Sequence, residues 1–180
     1  MKIETSRLIL REWNIEDAKW LYEYAKDPLI GPIAGWLSHK SVEYSEMIIN
    51  KVLSQEGHFA VYSKRHEHII GGVAYHKLEN SELYEAEVGY WIAVPLWSCG
   101  YASEALKALI AHCFNDIKLE RLRCSYFEGN NASKAVAEKC GFVYDHSIPN
   151  VYSTLLNIRR IEHVTYLERD QYLNNLIIAS

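Results

Sequence analysis

Positive charge is scarce in this chain. Of its 180 residues, 19 are Lys or Arg against 23 Asp or Glu, a formal net charge of −4. Binding a phosphate backbone needs a basic surface, and the adjacent basic pairs are Lys64-Arg65 and Arg159-Arg160 alone. Nucleic acid is therefore not expected as a partner. Long apolar runs are missing too: none approaches the roughly 20 residues of a membrane span, so no membrane association is expected. Met1–Leu10 is strand-like and interrupted by Glu4 and Arg7, unlike the apolar stretch of an export signal. Cysteine is sparse, and Cys99, Cys113, Cys124 and Cys140 show neither C-x-x-C nor Cys/His spacing, so no metal site is expected. With no export signal the thiols are expected reduced, in the cytoplasm. His66 and His68 share a polar KRHEH turn, which reads as a solvated hairpin loop. Repeats, low-complexity stretches and linkers are absent as well, so residues 1–180 read as one domain with a sizeable core.

What the chain does have is concentrated around Gly100. An apolar, aromatic run from Val88 to Val94 meets Pro95, then a small-residue turn, Trp97-Ser98-Cys99-Gly100. After it, Ala102, Ala105, Leu106, Leu109, Ile110, Cys113 and Phe114 recur at helical spacing. A strand that passes through a Gly-containing turn into a helix N-terminus makes an anion site, because the first helical N–H groups are unpaired and the dipole favours negative charge. The turn is neither G-x-x-x-x-G-K-[ST] nor G-x-G-x-x-G with an acid about twenty residues on. Neither a nucleoside triphosphate nor a dinucleotide fits it well.

The rest of the pattern predicts an α+β order. A strand is expected at Arg7–Glu12 and a helix over Asp17–Asp27, capped by Asn14 and stopped by Pro28. A second helix is expected over Val42–Ser54, capped by Ser41. Three strands follow as a meander, Phe59–Ser63, Ile69–Leu78 and Glu85–Val94, with turns at Arg65–His68 and Glu79–Ser81. Beyond the Gly100 helix come a strand at Arg121–Phe127, a helix at Ala132–Lys139 and short late strands at Phe142–Asp145 and His163–Glu168. No element is assigned after Asp170.

The turn resembles the acyl-CoA pyrophosphate loop of the GNAT superfamily of N-acetyltransferases, [QR]-x-x-G-x-[GA]. Here it reads Trp97-Ser98-Cys99-Gly100-Tyr101-Ala102, with Trp in place of Gln or Arg and Ser98 where a common family version has Gly. Other segments match in family order: TSRLILR at Thr5–Arg11, GPIAGWLSHKS from Gly31 to Ser41, IIGGVAYH at Ile69–His76, and Asn130, Ser133, Glu138, Lys139, Gly141 and Phe142 of GNNASKAVAEKCGF. Together they resemble the branch of ribosomal-protein N-terminal acetyltransferases. The resemblance implies a mixed, mostly antiparallel central sheet of about six or seven strands flanked by helices on both faces.

It also implies acetyl transfer from acetyl-CoA to an amine. The N–H groups from Ser98, Cys99, Gly100, Tyr101 and Ala102 to Ser103 take the pyrophosphate, with Trp97 beside them. The backbone of Ile92 and Val94 pairs with the pantetheine arm like an added strand. Glu87, on the same strand, is the candidate base, since an amine near pKa 10 must lose a proton before attack; Glu85, two residues away on the same face, is the fallback. Ser133 or Tyr126 protonates the leaving thiolate, and Asn130 holds the arm, although Asn and Ser here also suit a helix cap. Trp36, His39 and Glu85 are candidates for the acceptor side, with Asp27, Glu79 and Glu82 as further carboxylates able to attract a cation. The acceptor is a peptide N-terminal amine or a small-molecule amine, and the branch implies a monomer or homodimer. A non-catalytic acyl-CoA sensor and an unrelated phosphate binder are the alternatives. Cys99, at a helix N-terminus in an open turn, is expected to be the most reactive thiol.

Overall fold

The computed structural model describes residues 2–79 and 84–178. One eight-stranded sheet runs through it in the order β1-β2-β3-β4-β5-β6-β8-β7. The strands are β1 (Lys2–Glu4), β2 (Leu8–Arg11), β3 (His58–Ser63), β4 (His68–Lys77), β5 (Glu85–Ile92), β6 (Arg121–Phe127), β7 (Val143–Ser153) and β8 (Ile158–Glu168). The helices are α1 (Ala18–Ala25), α2 (Gly31–Ala34), α3 (Val42–Ile48), α4 (Tyr101–Asn115), α5 (Asn131–Lys139) and α6 (Arg169–Ile178). Every strand pair is antiparallel except β5–β6, which α4 connects as a crossover. The fold is α+β, and among the described residues no helix is long and apolar enough to cross a membrane.

Period-two alternation divides the core between the two faces. Leu8, Leu10, Val61, Val73 and Val88 pack with Leu106, Leu109 and Phe114 of α4 on one face. Ala60 and Ile69 turn the other way, onto Trp13, Leu21 of α1 and Ile49. The caps act locally. The Asn14 side chain accepts from Glu16 N–H at 3.2 Å, while Asp17 reaches back to Asn14 N–H at 2.9 Å and pairs with Arg11 at 2.6 Å. Ser41 accepts from Tyr44 N–H at 3.1 Å.

Several elements depart from the expected bounds. The sheet has eight strands rather than six or seven, because β1 adds a short edge with no buried face. β7 and β8 are each 11 residues long, well beyond Phe142–Asp145 and His163–Glu168. β7 is exposed on both faces along most of its length, so no alternation betrays it. The second helix widens into a π-helical turn at Ile49–Leu53, and the first begins as a tight turn at Ile15–Asp17. β5 stops at Ile92, since Pro95 bends Val94–Leu96 into a 3₁₀ turn. Val94 thus leaves the strand on which it was expected. Residues 80–81 of the expected Glu79–Ser81 turn, and Glu82, lie outside the described residues.

Candidate active site

The site arises where two neighbouring strands part. β5 and β6 pair in parallel only from Glu85–Glu87 to Arg121–Arg123. Beyond that β5 continues to Ile92 and β6 to Phe127 with no pairing between them. Leu78 N–H donates to the Glu85 carbonyl and Ala93 N–H to the Ile70 carbonyl. Odd-numbered residues of β5 therefore turn their backbone groups toward β4, and even-numbered ones toward β6. The backbone of Tyr90 and the Ile92 N–H face the splay as a strand edge not paired with β6, ready for an extended ligand. Of the two expected pairing residues, Ile92 is placed on this edge and Val94 is not.

The edge leads to the anion turn. Ser98 (φ 61°) and Gly100 (φ 80°) both adopt the left-handed conformation. Glycine does this freely, whereas Ser98 pays about 1 kcal/mol. No side chain caps α4 at Gly100, so its first-turn N–H groups stay open to an anion. Trp97, at the position usually Gln or Arg, donates its indole N–H to the Ile92 carbonyl at 2.7 Å, which ties the turn to the end of β5. The turn is braced from behind: Arg7 Nη1 donates to the Cys99 carbonyl at 3.0 Å, and Arg7 pairs with Glu104 of α4 at 2.6 Å. Tyr101 is buried beneath the Arg7 guanidinium, 4.5 Å from ring centre to Cζ. Ser103 Oγ donates to the Gly100 carbonyl at 3.1 Å.

A cavity of about 620 Å³ passes through the splay, lined on the α1–α3 side by Trp13, Trp36 and His39 and on the α5 side by Asn130 and Ser133. Glu87 stands half-buried in its floor, cross-strand from His76. Burial pushes the Glu87 carboxyl above the usual carboxylate range; the Ser125 hydroxyl pulls against this, Glu162 adds to it, and His76 and Arg123 oppose it. Glu85 has a different fate. It is 2% exposed, held in a two-point pair with Arg123 at 2.7 and 3.1 Å, and does not line the cavity. It sits where β5 and β6 still pair, so its charge is spent joining the strands below the splay. Neither the fallback-base nor the acceptor-side expectation for Glu85 fits that position.

Tyr126 and Ser133 both line the cavity. Asn130 caps α5 by accepting Ser133 N–H at 3.1 Å, and so fills the capping role that its sequence context also allowed. Sequence reasoning passed over Tyr90, whose hydroxyl crosses the splay to donate to the Ser133 carbonyl at 3.4 Å. Burial raises the pKa of both Tyr90 and Tyr126, keeping both phenols protonated as donors.

On the acceptor side, Trp36 is half-buried, edge-on to His39 at 5.5 Å and to Trp91 at 6.2 Å. It lies flush on Gly31, where a Cβ would come within 2.6 Å of its ring. His39 is buried, and burial alone pushes its pKa down to about 4, so the ring is neutral at physiological pH. Ser45 Oγ donates to the Ser41 carbonyl at 3.3 Å and lies 2.7 Å from His39 Nδ1. Asp27 is turned away to cap Leu29 N–H at 2.9 Å. Trp13, Trp91, Leu155 and Glu162 also line the cavity and went unnoticed in the sequence. Trp91 was within reach, since it shares the strand face of Glu87 by alternation.

Cys99 is exposed, while Cys113, Cys124 and Cys140 are buried. Burial raises the thiols of Cys113 and Cys124 to about 12 and that of Cys140 to about 11. Mass-mapped alkylation at pH 8 is expected to modify Cys99 first, at least tenfold faster than the other three, and acetyl-CoA is expected to slow that labelling. Equal rates with and without acetyl-CoA would remove Cys99 from the cofactor turn.

Comparison with known proteins agrees with this geometry. The uncharacterised N-acetyltransferase YoaA of Bacillus subtilis is 27% identical, covering 84% of this chain and 94% of YoaA. The structure of a proposed ribosomal-protein-serine acetyltransferase from Vibrio cholerae is 27% identical at a TM-score of 0.78, covering 93% of this chain and 97% of its own. Spermidine N-acetyltransferase of the same organism, solved with CoA and spermine, shares the fold at a TM-score of 0.77 and 19% identity, covering 94% of this chain and 99% of its own. A family model described as an acetyltransferase (GNAT) domain matches residues 7–143. That span takes in the free strand edge, the anion turn and the helix capped by Asn130, and the chain belongs to the GNAT acetyltransferases.

Proposed function

We propose that this enzyme moves the acetyl group of acetyl-CoA onto a primary amine by direct attack in a ternary complex. The observation that carries this reading is the free edge of β5, which runs from the Glu87 floor to an uncapped helix N-terminus. The edge fits an extended, amide-bearing arm and the turn fits its pyrophosphate. The backbone of Tyr90 and the Ile92 N–H hold the arm, and the N–H groups between Ser98 and Ser103 hold the phosphates. Glu87, directly or through water, takes the ammonium proton. The amine nitrogen then attacks the thioester carbon, and the C–S bond breaks as the tetrahedral adduct collapses. The departing thiolate takes a proton from Tyr126 or Ser133, and the second proton shed by the nitrogen as the amide forms restores that donor. One sheet runs from β1 to β8, which supports reading residues 1–180 as one catalytic domain. Four free thiols favour a reducing, cytoplasmic setting.

The test is thermal unfolding beside turnover. Acetyl-CoA at a hundredfold its Kd adds about 2.7 kcal/mol, which for a chain of this size is a Tm rise of roughly 5–10 °C. Desulfo-CoA should match it, and ATP and NAD should not. A Tm rise with no amine-dependent release of CoA would replace the enzymatic role with that of an acyl-CoA-binding domain. No rise with either CoA compound would overturn the cofactor assignment.

A further inference from the structure

We infer that the acceptor is a compact primary amine with an aromatic or branched apolar body, and not a polyamine or a protein N-terminus. This rests on the acetyl-transfer reading above and narrows its acceptor. The described residues lining the cavity include no Lys or Arg, and Glu87 and Glu162 are their only carboxylates. The two lie close enough for the charge of one to act on the other. They form one anionic spot on the floor, enough for one ammonium.

On the α1–α3 side the wall is largely apolar, while the α5 side carries Tyr126, Asn130 and Ser133. Trp13 and Trp91 stack at 6.4 Å with 18° between their planes, and Trp36 meets Trp91 edge-on. His39 is neutral and adds no counter-charge. A polyamine in this space would have to desolvate its further ammonium groups without partners, which is strongly unfavourable. An aromatic or branched body instead exchanges water for ring contacts.

A peptide meets a different obstacle. Its backbone N–H and C=O groups need partners immediately behind the α-amine, and the α1–α3 wall, with Leu21, Ile33, Ile48, Val52 and Leu53, is largely side-chain hydrocarbon. The β7–β8 hairpin also borders the cavity. Arg160 Nη1, on β8, donates to the Ile33 carbonyl of α2 at 3.4 Å, and the guanidinium covers the Phe127 ring at 4.8 Å. This pins the β7–β8 hairpin against α2, with Leu155 of its tip on the rim of the cavity. A small molecule enters past such a rim more readily than a folded protein's tail.

The experiment compares kcat/KM for 2-phenylethylamine, 3-methylbutylamine, spermidine and a hexapeptide beginning with serine, at saturating acetyl-CoA, with acetylated product measured by mass. The expected result is that one of the first two exceeds both spermidine and the peptide by at least about tenfold. Spermidine or the peptide equal to or above them would overturn the inference while leaving acetyl transfer intact. Turnover of none of the four would overturn both. Glu162→Gln provides a second readout at an exposed hairpin: KM for the preferred amine should rise about tenfold with kcat within threefold. An unchanged KM would show that the second carboxylate does not hold the ammonium, and the one-cation argument would fall with it.

Discussion

Glu87→Gln is expected to lower kcat by about 10²–10⁴-fold, the usual contribution of a positioned general base, while acetyl-CoA still raises Tm. The amide keeps the shape of the carboxylate and can still bond the Ser125 hydroxyl, but it cannot take a proton. Stability should move the other way. Burial holds the folded-state pKa of Glu87 above its unfolded value, so folding favours the protonated form. The stability contributed by that group is complete below the unfolded pKa and is lost as pH rises through the folded one. At pH 8 the native protein therefore carries a charge that costs stability, and Glu87→Gln should unfold at the same or a higher temperature. The gap should close as pH falls toward 4. The wild-type profile of kcat/KM should show its acidic limb above the normal carboxylate range for the same reason. A variant within threefold of wild-type kcat would remove Glu87 as the base.

The place of Glu87 on the cavity floor was legible in the sequence while its surroundings were not. Glu87 lies in a strand whose alternation continues into a Gly turn and a helix, and local periodicity carries all three. The splay is different in kind. It exists because β5 and β6 pair for only three residues, and the length of a parallel pairing between strands some 35 residues apart leaves no local trace. The roles of Glu85 and Glu87 illustrate the limit. Alternation puts both on one face, but only the side-chain geometry shows that Arg123, which the register sets opposite Glu87, bonds Glu85 and leaves Glu87 to the cavity. The β7–β8 hairpin was illegible for a related reason. With most of β7 solvated on both sides, its residues carry no two-fold pattern, so Leu155 and Glu162 could not be assigned to the site. The turn shows the reverse: Trp97 and Ser98 depart from the family pattern, yet the first tethers the loop to Ile92 and the second takes the left-handed φ itself.

Arg7→Ala is expected to raise KM for acetyl-CoA by at least tenfold with kcat nearly unchanged, because Arg7 shapes the pyrophosphate turn from behind. Its guanidinium bonds the Cys99 carbonyl, pairs with Glu104 and covers the Tyr101 ring. Glu104 keeps other partners when Arg7 is truncated: Thr5 Oγ1 at 2.6 Å and the residue 7 backbone N–H at 3.1 Å. Its carboxylate stays ionised, now unneutralised, in the first turn of the helix proposed above to hold the pyrophosphate. Burial raises the pKa of Glu104, but hydrogen bonds from Thr5 and Arg7 outweigh it and hold the pKa below the usual value. Geometry and charge therefore act in the same direction. The stability cost should be modest, about 1–2 kcal/mol, since the Arg7 side chain is 44% exposed and solvent screens part of the pair. Arg7→Lys separates the two effects. An ammonium restores the charge beside Glu104 but lacks the planar fork that serves the carboxylate and the Cys99 carbonyl together, so most of the KM defect should persist. Full rescue by lysine would assign the effect to charge alone, and an alanine variant with KM within twofold of wild type would show that the turn holds its shape without support from β2.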